Sequence, residues 1–171
     1  TIMGAGLGAA LVGTRPIIEM RMFDFVMCAM DELVNQIAKV RYMFGGQAKP
    51  AVVVRMPHGG GIHAPEHHSE SQMLEAWFAH LPGVVVVCPS NAEDEAGLLV
   101  SAIRSDDPVL FFDPKDLWTA PGQITDGEIA PIPFGKARHA RKGDALTIVT
   151  WSAVTPNVLT AADQLARDGI N

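Results

Sequence analysis

Three short apolar runs, Ala51 to Met56, Val84 to Val87 and Val109 to Phe112, constrain this chain more than any other feature. None shows the in–out alternation of a half-solvated strand. Continuous apolar runs of that length are strands buried on both faces, as in a parallel sheet. Helical patterns separate them. Phe23 to Tyr42 is the most periodic, with Val26, Met30, Leu33, Val34, Ile37 and Val40 recurring at helical spacing. Ser69 to His80 reads as a short helix, with Ser69 and Ser71 as possible caps. A further helix opens at Ser90, with Glu93 at the capping-box spacing, and runs to about Arg104. Ahead of these come a Gly/Ala-rich helix, Thr1 to Val12, and a strand, Arg15 to Arg21. Strand and helix alternate, and that order predicts an α/β fold with a parallel sheet.

Asp113 to Pro133 breaks the alternation. Four prolines (Pro114, Pro121, Pro131, Pro133) and two glycines with no period read as an interdomain linker. Beyond it, Lys136 to Ala140 and Leu146 to Trp151 are strand candidates, and Val154 to Arg167 is a helix. The expected organisation is a first domain over 1–113, a linker over 114–133, and the start of a second domain over 134–171. Glycines 4, 6, 8 and 13 in and after the first helix predict close approach to another backbone, since each interior helical glycine costs roughly 1 kcal/mol. Both ends of the chain read as truncated: a helix with no cap ahead of it, and a helix stop followed by a strand's first residue.

Composition sets the exclusions. Apolar residues make up 48%, enough for a sizeable core, and charged residues only 19%, so part of the surface is expected to be covered. A net charge of -6 and a pI near 5.4 argue against nucleic acid, which needs a basic face. The one basic cluster, Lys136 to Lys142, is broken by alanines. No apolar run approaches the about 20 residues of a membrane span, and no signal-peptide pattern opens the chain. Cys28 and Cys88 read as buried reduced thiols, which fits a reducing compartment.

Four of the six histidines, His58, His63, His67 and His68, fall in the glycine-rich stretch Pro57 to His68. Three readings stand side by side. The stretch is a solvated surface loop, or a metal site using His63, Glu66, His67 and His68, or a carrier of a catalytic histidine at a strand tip, where open α/β sheets place ligands. Pro65 and the glycines deny the metal reading the helical spacing of a zinc protease. There is no nucleophile elbow, P-loop or dinucleotide fingerprint. Phe23, Phe25 and Trp77 are more often core than cofactor contacts on spacing alone.

The ordered motifs together resemble a known family. Arg15-Pro16-Ile17-Ile18-Glu19, Phe23-Asp24-Phe25, Ala29 to Lys39, Arg41-Tyr42-Met43-Phe44-Gly45-Gly46-Gln47, His68-Ser69-Glu70-Ser71, Glu75 to His80, Ser101-Ala102-Ile103-Arg104 with Asp107-Pro108-Val109, and Pro133 to Ala137 look like the β subunit of the thiamine-diphosphate-dependent E1 component of 2-oxo acid dehydrogenase complexes. The resemblance covers essentially the whole chain. It implies a transketolase-type pyrimidine-binding domain followed by the start of the transketolase C-terminal domain. The implied activity is oxidative decarboxylation of a 2-oxo acid with reductive acylation of lipoyl-E2. The alternatives are an acetoin dehydrogenase β subunit and, from another class, a non-catalytic α/β interaction module.

What the resemblance implies for single residues is as follows. His68 matches the active-site histidine and Phe25 the aromatic that stacks on the pyrimidine of thiamine diphosphate. Backbone carbonyls of Val52, Ala102, Ile103, Ser105 and Asp107 match a structural potassium site, with Ser105 and Asp107 departing from the residue types of relatives. The diphosphate and Mg2+ belong to an E1 α subunit, in keeping with Gly143-Asp144-Ala145 failing the Gly-Asp-Gly start of the diphosphate motif. The implied partners are that α subunit in an α2β2 assembly and a lipoyl-bearing E2 acyltransferase; the substrate is a small 2-oxo acid. The family's glutamate at the pyrimidine N1′ would precede Thr1, so these residues alone are expected to be inactive. The expected compartment is bacterial cytoplasm or mitochondrial matrix.

Overall fold

The computed structural model describes residues 1–59, 72–124 and 127–171. The expected parallel sheet is present. Four strands, β1 (Ile17–Glu19), β2 (Val53–His58), β3 (Val85–Val87) and β4 (Val109–Pro114), lie in the order β1-β2-β4-β3, every neighbouring pair parallel. The central pair runs in register from Val53↔Val109 to His58↔Pro114. Both faces of that pair are covered. Val54, Met56, Leu110 and Phe112 point into the larger core with Met3, Phe23, Leu33 and Phe78. Val53, Val87, Val109 and Phe111 point into a second core under helix α4 (Ala92–Arg104). This is why the runs carry no alternation.

Helix α1 spans Ile2–Leu11. Of its glycines only Gly6 meets a neighbour closely: a Cβ there would lie 2.2 Å from Ile18 Cδ1 of β1. Gly4 and Gly8 face open space or a distant side chain and Gly6 meets a side chain, so the expected close approach to another backbone is replaced by one tight contact with the Ile18 side chain.

The segment read as one helix over 23–42 is helical but not uniform. It begins as a 3-10 helix, Phe23–Ala29, becomes a π-helix over Glu32–Ile37, and ends as α2 (Val40–Met43). At three residues per turn, positions i and i+3 eclipse, so Phe23, Val26 and Ala29 are all buried. In the π turn, Ala38 N donates to Leu33 O at 3.0 Å, and the buried positions shift to Leu33 and Ile37. The change of pitch keeps one face inward while the helix turns past the sheet. It also corrects Cys28, which is exposed because it falls between the eclipsed positions. Cys88 is half-buried, and burial, then Glu75, pushes its thiol up to about 12.

Helix α4 is capped by Asn91, not Ser90. Asn91 Oδ1 accepts from Asp94 N at 2.8 Å, and Ser90 Oγ donates to Asp94 Oδ2 at 2.9 Å. The proline-rich stretch after β4 is fastened along α4. Ile132 N donates to Gly97 O at 3.1 Å, Ser101 Oγ donates to Ile132 O at 2.6 Å, and a Cβ on Gly97 would meet Ile132 at 2.6 Å. Helix α3 is shorter than expected, Glu75–Ala79, with residues 69–71 outside the described region. Helix α5 (Thr155–Arg167) forms as expected behind a 3-10 turn, Ser152–Val154. The two strand candidates at 136–140 and 146–151 do not form. Leu146, Ile148 and Val149 are exposed, and their stretch has no backbone neighbour among the described residues to complete a ladder.

Candidate functional site

The carboxyl ends of β2 and β4 lie at the sheet's centre, where open parallel sheets hold ligands. Three groups of residues converge on that side. The first is carried by the 3-10 helix. Phe23 is 0% exposed and packs on Phe112 at 5.6 Å between ring centroids, while Phe25 is 57% exposed. The next residue back, Asp24, keeps Oδ1 buried with no hydrogen-bond partner among the described residues. An open ring, with a carboxylate at the preceding position of the chain, offers a flat face to a heteroaromatic. On this count the residues present suit the aminopyrimidine of thiamine diphosphate.

The second group closes β2. His58 is 0% exposed, stands edge-on to Phe112 at 5.3 Å, and has no hydrogen-bond partner on either ring nitrogen among the described residues. Its Nδ1 is 3.9 Å from Oε2 of Glu75, the first residue of α3, and that oxygen is also unpartnered. Trp151 Nε1 donates to the other oxygen, Glu75 Oε1, at 3.1 Å. Burial holds the His58 imidazole below its usual value, against the pull of Glu75, Asp113 and Asp116.

The third group lies over the opposite face. Arg55 donates to Asp113 and, at 3.3 Å, to Glu19; Trp118 Nε1 donates to Asp113 Oδ1 at 2.8 Å. Arg55, Asp113 and Trp118 line a cleft of about 420 Å³ with Glu95. Burial, then the Asp113 charge, pushes the Glu95 carboxyl up to about 7.

His68, and His63, Glu66 and His67 of the metal reading, lie outside the described residues. No cluster of metal-ligating side chains occurs among the described residues. The five carbonyls assigned to potassium lie where β2 and β4 begin and α4 ends, and some already accept. Val52 O takes Val109 N at 2.9 Å, and Ala102 O takes Ser105 N at 3.2 Å. Arg15 Nη1 donates to Ile103 O at 3.1 Å and Ser105 O at 2.6 Å. The donors are the hard oxygens such a cation takes, but it would share two of them with a guanidinium. Asp106 beside them is held below the usual carboxylate range by its hydrogen bonds to Lys49 and Arg15.

Sequence reasoning alone passed over His58, Glu75 and Trp151. His58 falls in the histidine-rich stretch of the sequence, although it stands two residues past the apolar run and ends the strand. Glu75 and Trp151 carry no local pattern; only the fold brings them together.

The fold is a parallel α/β sheet with an exposed aromatic, Phe25, on a helix packed against it and buried polar groups, His58 and Asp113, at the carboxyl ends of its central strands. The chain belongs to the transketolase pyrimidine-binding domain family, whose model matches residues 1–120. It is 46% identical over 168 residues to the acetoin:2,6-dichlorophenolindophenol oxidoreductase subunit beta of Cupriavidus necator, covering 98% of this chain and 49% of that protein. It is 41% identical over 174 residues to the 2-oxoisovalerate dehydrogenase subunit beta of Bacillus subtilis, covering 99% and 51%. It is 43% identical over 170 residues to the pyruvate dehydrogenase E1 component subunit beta of the same organism, covering 99% and 52%. The chain thus spans about half the length of the curated relatives it matches. Among solved structures, a split-gene transketolase described as an inactive beta4 tetramer superimposes with a TM-score of 0.78 at 22% identity, covering 98% of this chain and 50% of that one. That likeness supports the fold. No helix among the described residues is long and apolar enough to cross a membrane.

Proposed function

We propose that this chain is part of the β subunit of an E1 enzyme that converts a 2-oxo acid and a lipoyl disulfide to CO2 and an acyl-dihydrolipoyl thioester. The observation that carries the reading is Phe25. A helix that buries Phe23 completely leaves the ring two residues on more than half open. Phe25 offers its face to the pyrimidine, and Asp24 Oδ1 offers an acceptor next to it in sequence. Thiamine diphosphate, when bound, supplies the nucleophilic carbon and the electron sink that decarboxylation requires. His68 is assigned to hold or deliver a proton at the substrate oxygen, as a histidine does near neutral pH. Diphosphate and Mg2+ are assigned to an α subunit in an α2β2 assembly, and E2 is the acyl acceptor. The compartment is bacterial cytoplasm or mitochondrial matrix. A structural potassium ion at the 102–107 turn belongs to the same reading. A higher Tm in K+ than in Na+ supports it, and equal values leave Arg15 as that turn's cation.

A second reading, an acetoin dehydrogenase β subunit, is favoured by the 46% identity to the Cupriavidus protein. The test is to co-express the complete gene with an α subunit and assay thiamine-diphosphate-dependent dye reduction with pyruvate, 2-oxoisovalerate and acetoin in turn. Turnover with one of them fixes the substrate. His68→Ala is expected to lower lipoyl acylation by about 10²–10⁴-fold, the range for loss of a general acid or base, with cofactor affinity retained. Normal activity in that variant removes His68 from the mechanism. Turnover of none of the three, with no α chain bound, returns the chain to a non-catalytic module.

A further inference from the structure

We propose that His58 and Glu75 are a pair of positioning residues that fix the two feet of the segment between β2 and α3, with Trp151 holding Glu75 from the far side. The proposal rests on the reading above in one respect: that segment contains His68.

The feet are adjacent. His58 ends β2, Glu75 begins α3, and Gly59 N donates to Gln72 O at 3.3 Å between them. Gly59 takes φ +68, a left-handed value that glycine adopts freely. A carboxyl oxygen and an imidazole nitrogen, both buried and without a hydrogen-bond partner among the described residues, therefore face each other across 3.9 Å at the stem. Unpartnered buried polar groups are costly, and where a fold keeps them they mark a function or a second arrangement. Closing the gap satisfies both at once.

The pair is also wired in both directions. Through its ring, His58 leans on Phe112, which packs on Phe23 at the start of the helix that carries Phe25. Through Glu75, the stem is tied to Trp151, beyond the proline-rich stretch. A displacement at the stem is thereby felt at the aromatic assigned to the cofactor. The charged groups that face His58 are Glu75 from α3, Asp113 from the end of β4, and Asp116 and Lys115 from the turn after it. Three of those four are acidic and favour a protonated ring, which would donate to Glu75; burial favours the neutral one.

The experiment uses the complete α/β enzyme with whichever substrate it turns over, and compares His58→Asn, Glu75→Gln and the double variant. Each single change is expected to lower kcat by about tenfold with KM altered less than about twofold, and the double is expected to be no slower than either single, since paired residues do not act additively. Additive losses in the double variant overturn the proposal. A readout independent of turnover is hydrogen exchange at the Gly59 amide. Faster exchange in both singles supports the clamp even if no 2-oxo acid or acetoin is consumed, and unchanged exchange overturns it even if catalysis is confirmed.

Discussion

Residues 109–112 and residues 146–151 are built from the same kinds of side chain, yet only the first stretch is a strand. Val109 to Phe112 are fully buried between two strands and two layers of side chains. Leu146, Ile148 and Val149 lie open to solvent, Val149 to 82%. Apolar and β-branched residues make a strand affordable; a neighbouring backbone that accepts its N–H groups makes it form. The later segment has little of that kind. Asp144 N and Ala145 N both reach Asn171 O, at 2.9 and 2.7 Å, and Trp151 reaches Glu75 through one indole N–H. The first region is held by a shared apolar core. The second is tethered largely by polar contacts such as Arg138 to Asp94.

The most direct way to break this comparison is to remove bulk from each side. Phe112 touches Phe23, Phe78 and the His58 ring. Phe112→Ala is expected to cost about 3–5 kcal/mol, the usual loss for a buried aromatic. Val149→Ser should change stability by less than about 0.5 kcal/mol, as surface substitutions do. Urea unfolding of both variants measures it. A Val149→Ser loss comparable to that of Phe112→Ala would mean that the later segment is buried in the protein as studied, and the contrast would fall.

Acid and base sharpen the comparison within the sheet region, because two titratable groups lie over its opposite faces. Burial keeps His58 below its ordinary 6.5 in the folded state. Its contribution is complete above 6.5 and is lost as pH falls from there towards the lowered value, because the unfolded chain then binds the proton better. Glu95 runs the other way. Its folded value is raised from 4.5 to about 7, so its contribution is complete below 4.5 and is lost as pH rises through about 7. Glu95 is partly open to solvent, so the effect is discounted. Glu95→Gln is expected to raise stability at about pH 8 by on the order of 1 kcal/mol and to do nothing near about pH 4. His58→Asn should flatten the decline below 6.5. Unfolding curves across that range test both. A Glu95→Gln variant that loses stability at alkaline pH would show the carboxylate to be paired.

Much of the sheet was legible in the sequence because burial on both faces leaves an uninterrupted run. The strand order β1-β2-β4-β3 was not, since it depends on crossovers that no local pattern encodes. The helix over 23–43 was legible as helical but not as 3-10 and then π, because Phe23, Val26 and Ala29 fit a three-residue period about as well as a 3.6-residue one. Phe25 stood out only through family resemblance; by spacing it reads as core, and only the eclipsed turn puts it outside. The partners of His58 are 17 and 93 positions away in the chain, Glu75 directly and Trp151 through it. No spacing rule reaches that far.

The smallest expected effect tests the junction between the two regions. Ser152 opens the 3-10 turn ahead of α5 with φ +55, the only non-glycine residue on the positive side among those described. It is fully buried, and its Oγ has no hydrogen-bond partner among the described residues. A left-handed backbone costs an ordinary residue roughly 1–2 kcal/mol, and a buried unpartnered hydroxyl adds to that. Ser152→Gly removes both burdens, while the added freedom of the unfolded chain returns part of the gain. The net expectation is a stabilisation of about 1 kcal/mol, read as a rise in Tm or in the urea midpoint. Ser152→Ala separates the two sources, because it removes the hydroxyl and leaves the backbone where it is. If glycine stabilises and alanine does not, the burden is conformational, and the junction is strained to bring Trp151 to Glu75. If glycine destabilises, Ser152 Oγ has a partner in solution, and the junction is held by more than the Trp151 contact.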